Sequence, residues 1–209
     1  MITEEMLDAL RADIASKMSE KRFFHTAEVE KMAARLGELY APDKLMMLRA
    51  AALLHDITKE YKTDRQVLIC AQKGLEVTRL DLCAPKTFHA RTAASLIPEL
   101  YPEFSDEEII SCVRWHTTGR VGMTLCEKLI YLADYIDMSR TFEDCVKLRE
   151  FFFSKNPENM DMTSRLAHLD DTLIMSYDMT MRGLLEDGTP ISPDTADARN
   201  ELVCQRMTR

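Results

Sequence analysis

The sequence contains little glycine and proline and no long apolar run. Six glycines and seven prolines in 209 residues leave few of the turn residues that β-hairpins need, which argues against a β-rich fold. No stretch reaches the ~18–20 apolar residues of a membrane span. The amino-terminal residues also lack the basic and apolar regions of a secretory signal. We therefore expect a cytoplasmic protein with no membrane partner.

Closely spaced cysteine pairs are also missing. The six cysteines lie at least 13 residues apart, so the chain has no Cys-x-x-Cys motif for thiolate-bound zinc or dithiol redox chemistry. Basic side chains are in the minority, 27 Lys and Arg against 35 Asp and Glu, and the net charge is −8. Such a surface repels a phosphate backbone, which argues against long nucleic acid as a partner.

Helix-forming residues dominate instead. Leu, Ala and Met outnumber Val and Ile by 57 to 18, and apolar residues recur every three or four positions along most of the chain. These patterns predict an all-α fold in a single domain, 1–209, with a core at about 20–140 and a helical extension at about 141–209. They further predict one helix over 43–58, a helix that ends before Pro98, and capping boxes at Ser105 and Thr124.

Five histidines are the unusual component of this composition. His55 and Asp56 are adjacent at the end of an apolar helical segment, where both ionisable groups need partners. Asp134 lies in another apolar helix, where an unpaired carboxylate would cost several kcal/mol to bury. Only His168 lacks a second candidate nearby, so we interpret it as an ordinary core histidine. The candidate metal ligands are His25, His55, Asp56, His89, His116 and Asp134.

Imidazole and carboxylate donors favour Fe, Mn, Co or Zn rather than a structural thiolate site. Six ligands are more than one tetrahedral ion needs, whereas two divalent ions about 3.5–4 Å apart could use all six. Asp56 would bridge the two ions. The pattern therefore predicts a dinuclear centre between helices of a bundle.

Cationic and hydroxyl side chains accompany these ligands. Lys59 follows Asp56 by three residues, the string Thr117-Thr118-Gly119-Arg120 follows His116, and Arg140 follows Asp134 by six. Such groups around a metal centre are typical of a phosphate pocket. The alternative is that the lysine and the two arginines form ordinary surface ion pairs.

The order His25, His55-Asp56, Asp134 resembles that of the HD-domain metal-dependent phosphohydrolases. The segments FFHTAEVEKMAARL, RAAALLHDITKE, TFHARTAASLI and VRWHTTGRVGMTLCEKLIYLADYIDMSR resemble the bacterial YqeK family in particular. The similarity covers about residues 20–205. The chain departs from the family at Asp137-Met138, where Glu-Pro is common, and at Ile57-Thr58.

The resemblance implies an all-helical HD fold with a di-iron-type centre. It also implies symmetrical hydrolysis of bis(5′-nucleosyl) tetraphosphates, in which diadenosine tetraphosphate gives two ADP. By position, one ion would bind His25, His55, Asp56 and Asp134, and the other would bind Asp56, His89 and His116.

We therefore expect metal-assisted phosphoanhydride hydrolysis, with Asp56 and Lys59 in catalytic roles. Lys59, Thr117, Thr118, Gly119, Arg120 and Arg140 would bind the substrate. One alternative is a phosphohydrolase for a nucleoside monophosphate or a guanosine polyphosphate, which would use the same ligands. Another is a nucleotide-sensing module without catalysis. A homodimer could form through apolar faces such as EFFFS at 150–154, unless those residues belong to the core.

Overall fold

The computed structural model of this chain describes residues 1–208, and these contain helices and no strand. This confirms the all-α prediction. None of the described helices is both long enough and apolar enough to cross a membrane. The helices are α1 (Glu4–Lys17), α2 (Glu20–Tyr40), α3 (Leu45–Leu54), α4 (Thr63–Gln72), α5 (Arg79–Cys83), α6 (Phe88–Leu100), α7 (Glu107–Trp115), α8 (Leu125–Ile136), α9 (Glu143–Ser154), α10 (Met162–Glu186) and α11 (Pro193–Met207).

Helix α3 forms the centre of the bundle. It packs against α1, α2, α7 and α8, and residues 50–54 are all fully buried. Each fully buried leucine contributes roughly 1.5–3 kcal/mol to folding. The surrounding core is continuous from Leu7 in α1 to Leu202 in α11. Phe152 of the EFFFS segment is fully buried in it, so this side chain belongs to the core rather than to an exposed dimer face.

The predicted helix over 43–58 is too long. Helix α3 ends at Leu54, and tight turns follow in which Lys59 N–H donates to the Asp56 carbonyl at 2.9 Å and Tyr61 N–H to the Thr58 carbonyl at 3.0 Å. The Thr58 hydroxyl holds these turns in place by donating to the carbonyl of His89 at 2.9 Å. Because i→i−3 turns are tighter than an α-helix, the adjacent His55 and Asp56 can serve one site.

Two further sequence predictions are wrong in detail. Helix α6 continues through Pro98 to Leu100, because a proline removes only one backbone hydrogen bond in the last helical turn. The cap of α7 is Asp106, not Ser105: its carboxylate accepts the Glu108 N–H at 2.8 Å. The Thr124 capping box of α8 is confirmed. Accurate placement of α7 and α8 matters because both carry candidate ligands.

Candidate metal centre

Five elements bring the six predicted ligands together. His25 lies on α2, His55 and Asp56 follow α3, His89 is in the first turn of α6, His116 follows α7, and Asp134 lies in the last turn of α8. His116 therefore lies at a helix end rather than within a helix. The residues His55, Asp56, His89 and His116 are at most 2% exposed.

The ligand atoms form two overlapping groups. The donor atoms of His25, His55 and Asp134 lie within 4.8 Å of one another, and so do those of His55, Asp56 and His116. His25 Nε2 lies 3.0 Å from Asp134 Oδ1. His89 Nε2 joins the second group at 3.2 Å from Asp56 Oδ1. Two such groups in contact are what a pair of neighbouring ions requires.

The opposite nitrogen of each imidazole is fixed by a hydrogen bond. The Nδ1–H groups of His55, His89 and His116 donate to the carbonyl three residues earlier, at 2.6, 2.8 and 2.7 Å. His25 Nδ1 lies 3.0 Å from Ser139 Oγ. A carbonyl can only accept, so His55, His89 and His116 carry a proton on Nδ1, which leaves the Nε2 lone pair of each ring available for a metal.

Unpaired buried atoms support the same interpretation. His25 Nε2, His55 Nε2 and Asp56 Oδ1 are buried without a hydrogen-bond partner in residues 1–208. An unsatisfied buried polar atom costs about 1–3 kcal/mol, and a divalent cation would satisfy all three. The residues present therefore fit a divalent metal site.

The carboxylates remain ionised despite burial. Burial alone would raise the pKa of Asp56, but His55 and Lys59 outweigh it and hold the pKa well below its usual range. Burial likewise opposes ionisation of Asp134, but the Arg140 guanidinium and His25 lower the pKa of this carboxyl. Both groups are negatively charged at neutral pH, as metal ligands must be.

The histidines divide into two kinds. Burial, reinforced by Lys59, lowers the pKa of His89 well below its usual value, and burial also lowers the pKa of His116. For His25, burial is outweighed by the nearby carboxylates of Asp134 and Asp137, which raise its pKa to about 9. Hence His89 and His116 are neutral at pH 7, whereas His25 would have to release a proton in order to bind a metal.

Three of the predicted substrate-binding side chains reach this centre. Lys59 Nζ lies 3.0 Å from His89 Nε2 and 3.7 Å from Asp56 Oδ1. Thr117 Oγ1 lies 3.1 Å from His89 Nε2. Arg140 Nη2 lies 2.5 Å from Asp134 Oδ1.

The other three belong to the turn after His116 and contact other parts of the fold. The Thr118 hydroxyl donates to the Gly119 carbonyl at 3.0 Å. Gly119 has φ +66°, and a Cβ there would lie 2.0 Å from Tyr177 Oη. Its lack of a side chain therefore makes room for Tyr177.

Arg120 is paired with a buried acid. Its Nη2 and Nε atoms donate to Glu127 Oε1 at 3.0 and 3.2 Å, and Glu127 is fully buried. The carboxylate of Glu127 also accepts the Thr124 N–H at 2.8 Å. Arg120 thereby links the turn after His116 to the first turn of α8.

Three residues that lie next to the ligands are not among the site residues predicted from the sequence. Arg22 Nη1 lies 2.7 Å from Asp56 Oδ2. Ser139 accepts from His25 and donates its hydroxyl hydrogen to fully buried Asp137. Arg22 precedes His25 by three residues on α2, so the two side chains share a helix face. This spacing is the sequence pattern that could have indicated a place for Arg22 near the ligands. The Asp137-Met138-Ser139 segment carried no comparable pattern.

His168 lies outside the cluster. Its Nε2 lies 2.9 Å from the Phe152 carbonyl, and its ring stacks on Phe152 with centroids 5.4 Å apart. This packing agrees with its interpretation as a core histidine.

Comparison with known proteins gives consistent results. The HD domain family model matches residues 22–139. The symmetrical bis(5′-nucleosyl)-tetraphosphatase of Bacillus subtilis is 32% identical over 92% of this chain and 95% of its own. The protein of the same name from Halalkalibacterium halodurans is 30% identical over 90% and 92%.

A solved structure agrees with these sequence matches. It is described as a predicted HD superfamily hydrolase involved in NAD metabolism from Clostridium acetobutylicum. It superposes with a TM-score of 0.82 at 27% identity and covers 98% of this chain and all of that one. The six converging ligands, the matching domain and the near full-length relatives lead to one conclusion: this chain belongs to the HD-domain family, alongside the bacterial symmetrical bis(5′-nucleosyl)-tetraphosphatases.

Proposed function

We propose that this protein is a metal-dependent phosphohydrolase that cleaves diadenosine tetraphosphate symmetrically into two ADP. The observation that carries the proposal is the fixed orientation of the four histidines, whose Nε2 atoms all face Asp56 or Asp134. Two relatives that are similar to this chain over nearly their whole length carry that activity in their names. Together these points favour a dinucleotide tetraphosphate over a monophosphate or a guanosine polyphosphate.

The reaction adds one water across the central phosphoanhydride. The water oxygen bonds to one inner phosphorus, the bond from that phosphorus to the bridging oxygen breaks, and each half leaves as ADP. Bound divalent ions supply Lewis acidity, which activates water at neutral pH and neutralises phosphoryl charge. The two donor groups have His55 in common, and Asp56 Oδ2 lies 3.9 Å from His25 Nε2 of the first group, so Asp56 would be close enough to serve both ions. The family resemblance names iron as the metal.

Side chains of this chain would bind and orient the phosphates. Lys59 extends its ammonium to the His89 side of the cluster, where it can move onto a phosphoryl oxygen. Thr117 offers a hydroxyl at the same place. Arg140 neutralises Asp134 and balances charge close to the reacting group. Thr118, Gly119 and Arg120 act as positioning residues, because they fix the turn that carries Thr117.

Product analysis with metal-loaded protein tests this proposal. Chromatography of a reaction with diadenosine tetraphosphate should show ADP as the sole nucleotide product, two per substrate. Asp56→Asn should lower turnover by at least about 1,000-fold and reduce the metal content, since it removes the shared ligand. Asp43→Asn, at an exposed position, is the matched control and should keep both.

Other outcomes would contradict the proposal. ATP and AMP as products would indicate asymmetric cleavage, and phosphate released from AMP would indicate a monophosphatase. Tight binding of the dinucleotide without product would indicate a sensor. Elemental analysis of the protein as purified determines which metal it carries and how many ions bind per chain.

A further inference from the structure

A cavity of about 270 Å³ lies beside the metal centre, on the side of the carboxy-terminal helices. Three segments form its walls: residues 83–87 between α5 and α6, Thr117 and Thr118 after α7, and residues of 180–195 at the junction of α10 and α11. Residues of α10, of α11 and of the segment between them therefore come close to the predicted site here.

Two of the cavity's residues contact the ligand His89. Thr117 lines the cavity, and its Oγ1 lies 3.1 Å from His89 Nε2. Lys86 lines it as well, and its carbonyl accepts the Nδ1–H of His89 at 2.8 Å. Only the side chain of Thr117 therefore lies between the cavity and the position beside His89 where a phosphate would bind.

The walls of the cavity differ chemically from the metal centre. Pro85, Leu184 and Pro190 provide apolar surfaces. Thr189 and Ser192 provide hydroxyls that make no hydrogen bond with any residue in 1–208. Apolar walls with a few available polar groups are typical of a small-molecule site. The available hydroxyls suit a ribose or the edge of a base, and the apolar surfaces suit the faces of a base.

The opposite side of the cavity is braced by the extension. Thr195 of α11 donates its hydroxyl hydrogen to the Thr118 carbonyl at 3.0 Å, and both residues are buried. This hydrogen bond connects α11 to the turn that carries Thr117. The cavity is therefore held in a fixed position relative to His89.

We propose that this cavity binds the nucleoside end of one ADP half of the substrate. The proposal rests on the proposed function, because it presumes a nucleotide whose phosphates bind at the metal centre. It gives the carboxy-terminal helices a role in selecting nucleotides over bare polyphosphates.

Leu184→Trp tests the proposal by filling the cavity, and Leu185→Trp is its matched control. Leu185 is the next residue of α10, is 70% exposed and does not line the cavity. Calorimetric titration of metal-loaded protein with ADP should show at least tenfold weaker binding for Leu184→Trp. Titration with inorganic pyrophosphate should give the parent affinity, and Leu185→Trp should match the parent with both ligands.

The double variant T189A/S192A tests the same cavity without adding bulk. It should weaken ADP binding about five- to tenfold, as expected for the loss of two hydrogen bonds of modest net strength, and leave pyrophosphate binding unchanged. Unchanged ADP affinity in both folded variants would overturn the proposal, and so would an equal loss for ADP and pyrophosphate. If the proposed function itself were wrong, the parent protein would produce no ADP from diadenosine tetraphosphate, and this result is distinguishable from a loss of binding at the cavity.

Discussion

His89 and His116 place their Nε2 atoms 3.0 Å apart. Each ring already donates its Nδ1–H to a backbone carbonyl, so two lone pairs face one another across a buried gap. Such an arrangement is unfavourable unless a cation lies nearby. Lys59 Nζ, at 3.0 Å from His89 Nε2, provides one such charge, and a divalent ion would provide more.

Metal binding should therefore stabilise the fold. A ligand present at 100 times its dissociation constant adds about 2.7 kcal/mol to the free energy of unfolding. For a domain of this size each kcal/mol raises Tm by roughly 2–4 °C. We expect Mn²⁺ added to chelator-treated protein to raise Tm by about 5–10 °C, measured by calorimetry.

Two histidine variants make this prediction specific. His116→Gln should reduce the increase, because it removes one ligand of the second donor group. His168→Gln should keep the increase even if it lowers the baseline Tm, since His168 contacts Phe152 and not the cluster. An equal increase in both variants would show that the metal binds elsewhere.

Ser139→Ala should weaken metal binding without unfolding the protein. The serine hydroxyl connects the ring of His25 to Asp137, and loss of such an outer partner typically costs 10–100-fold in metal affinity. Equilibrium dialysis with Mn²⁺ measures the change. Ser154→Ala is the control, because Ser154 is exposed and donates only to the Phe151 carbonyl. Equal affinity in both variants would contradict this role of Ser139.

Most helices and the six ligands could be predicted from the sequence, because the patterns that indicate them lie within short segments of the chain. Thr124 and Glu127 cap α8 from within one turn. The end of α3 was harder to predict, because Thr58 holds the turns after Leu54 through a carbonyl 31 residues away. The contact between His25 and Ser139 spans 114 residues. No local pattern specifies such contacts.

Gly119→Ala should destabilise the protein more than Gly74→Ala. Both glycines have φ +66°, where an alanine is strained by about 1–3 kcal/mol. A Cβ at Gly74 meets nothing within 4 Å, whereas at Gly119 it would lie 2.0 Å from Tyr177 Oη. Overpacking adds roughly 1–3 kcal/mol, so urea unfolding should separate the two variants by that amount. Adding Tyr177→Phe to Gly119→Ala should recover part of the difference, and no separation would refute the close contact.

Arg120→Met and Arg140→Met should have different consequences, although the sequence predicts substrate binding for both arginines. Arg120 pairs with fully buried Glu127, so its loss should lower the free energy of unfolding by about 1–3 kcal/mol, less than for a fully buried pair because Arg120 is partly exposed. Arg140 contacts the ligand Asp134, so its loss should reduce kcat/KM at least tenfold more than Arg120→Met does. Urea unfolding and steady-state kinetics with diadenosine tetraphosphate distinguish the two. If Arg120→Met instead raised KM strongly at unchanged stability, Arg120 would leave Glu127 to bind phosphate, and its assignment as a positioning residue would be wrong.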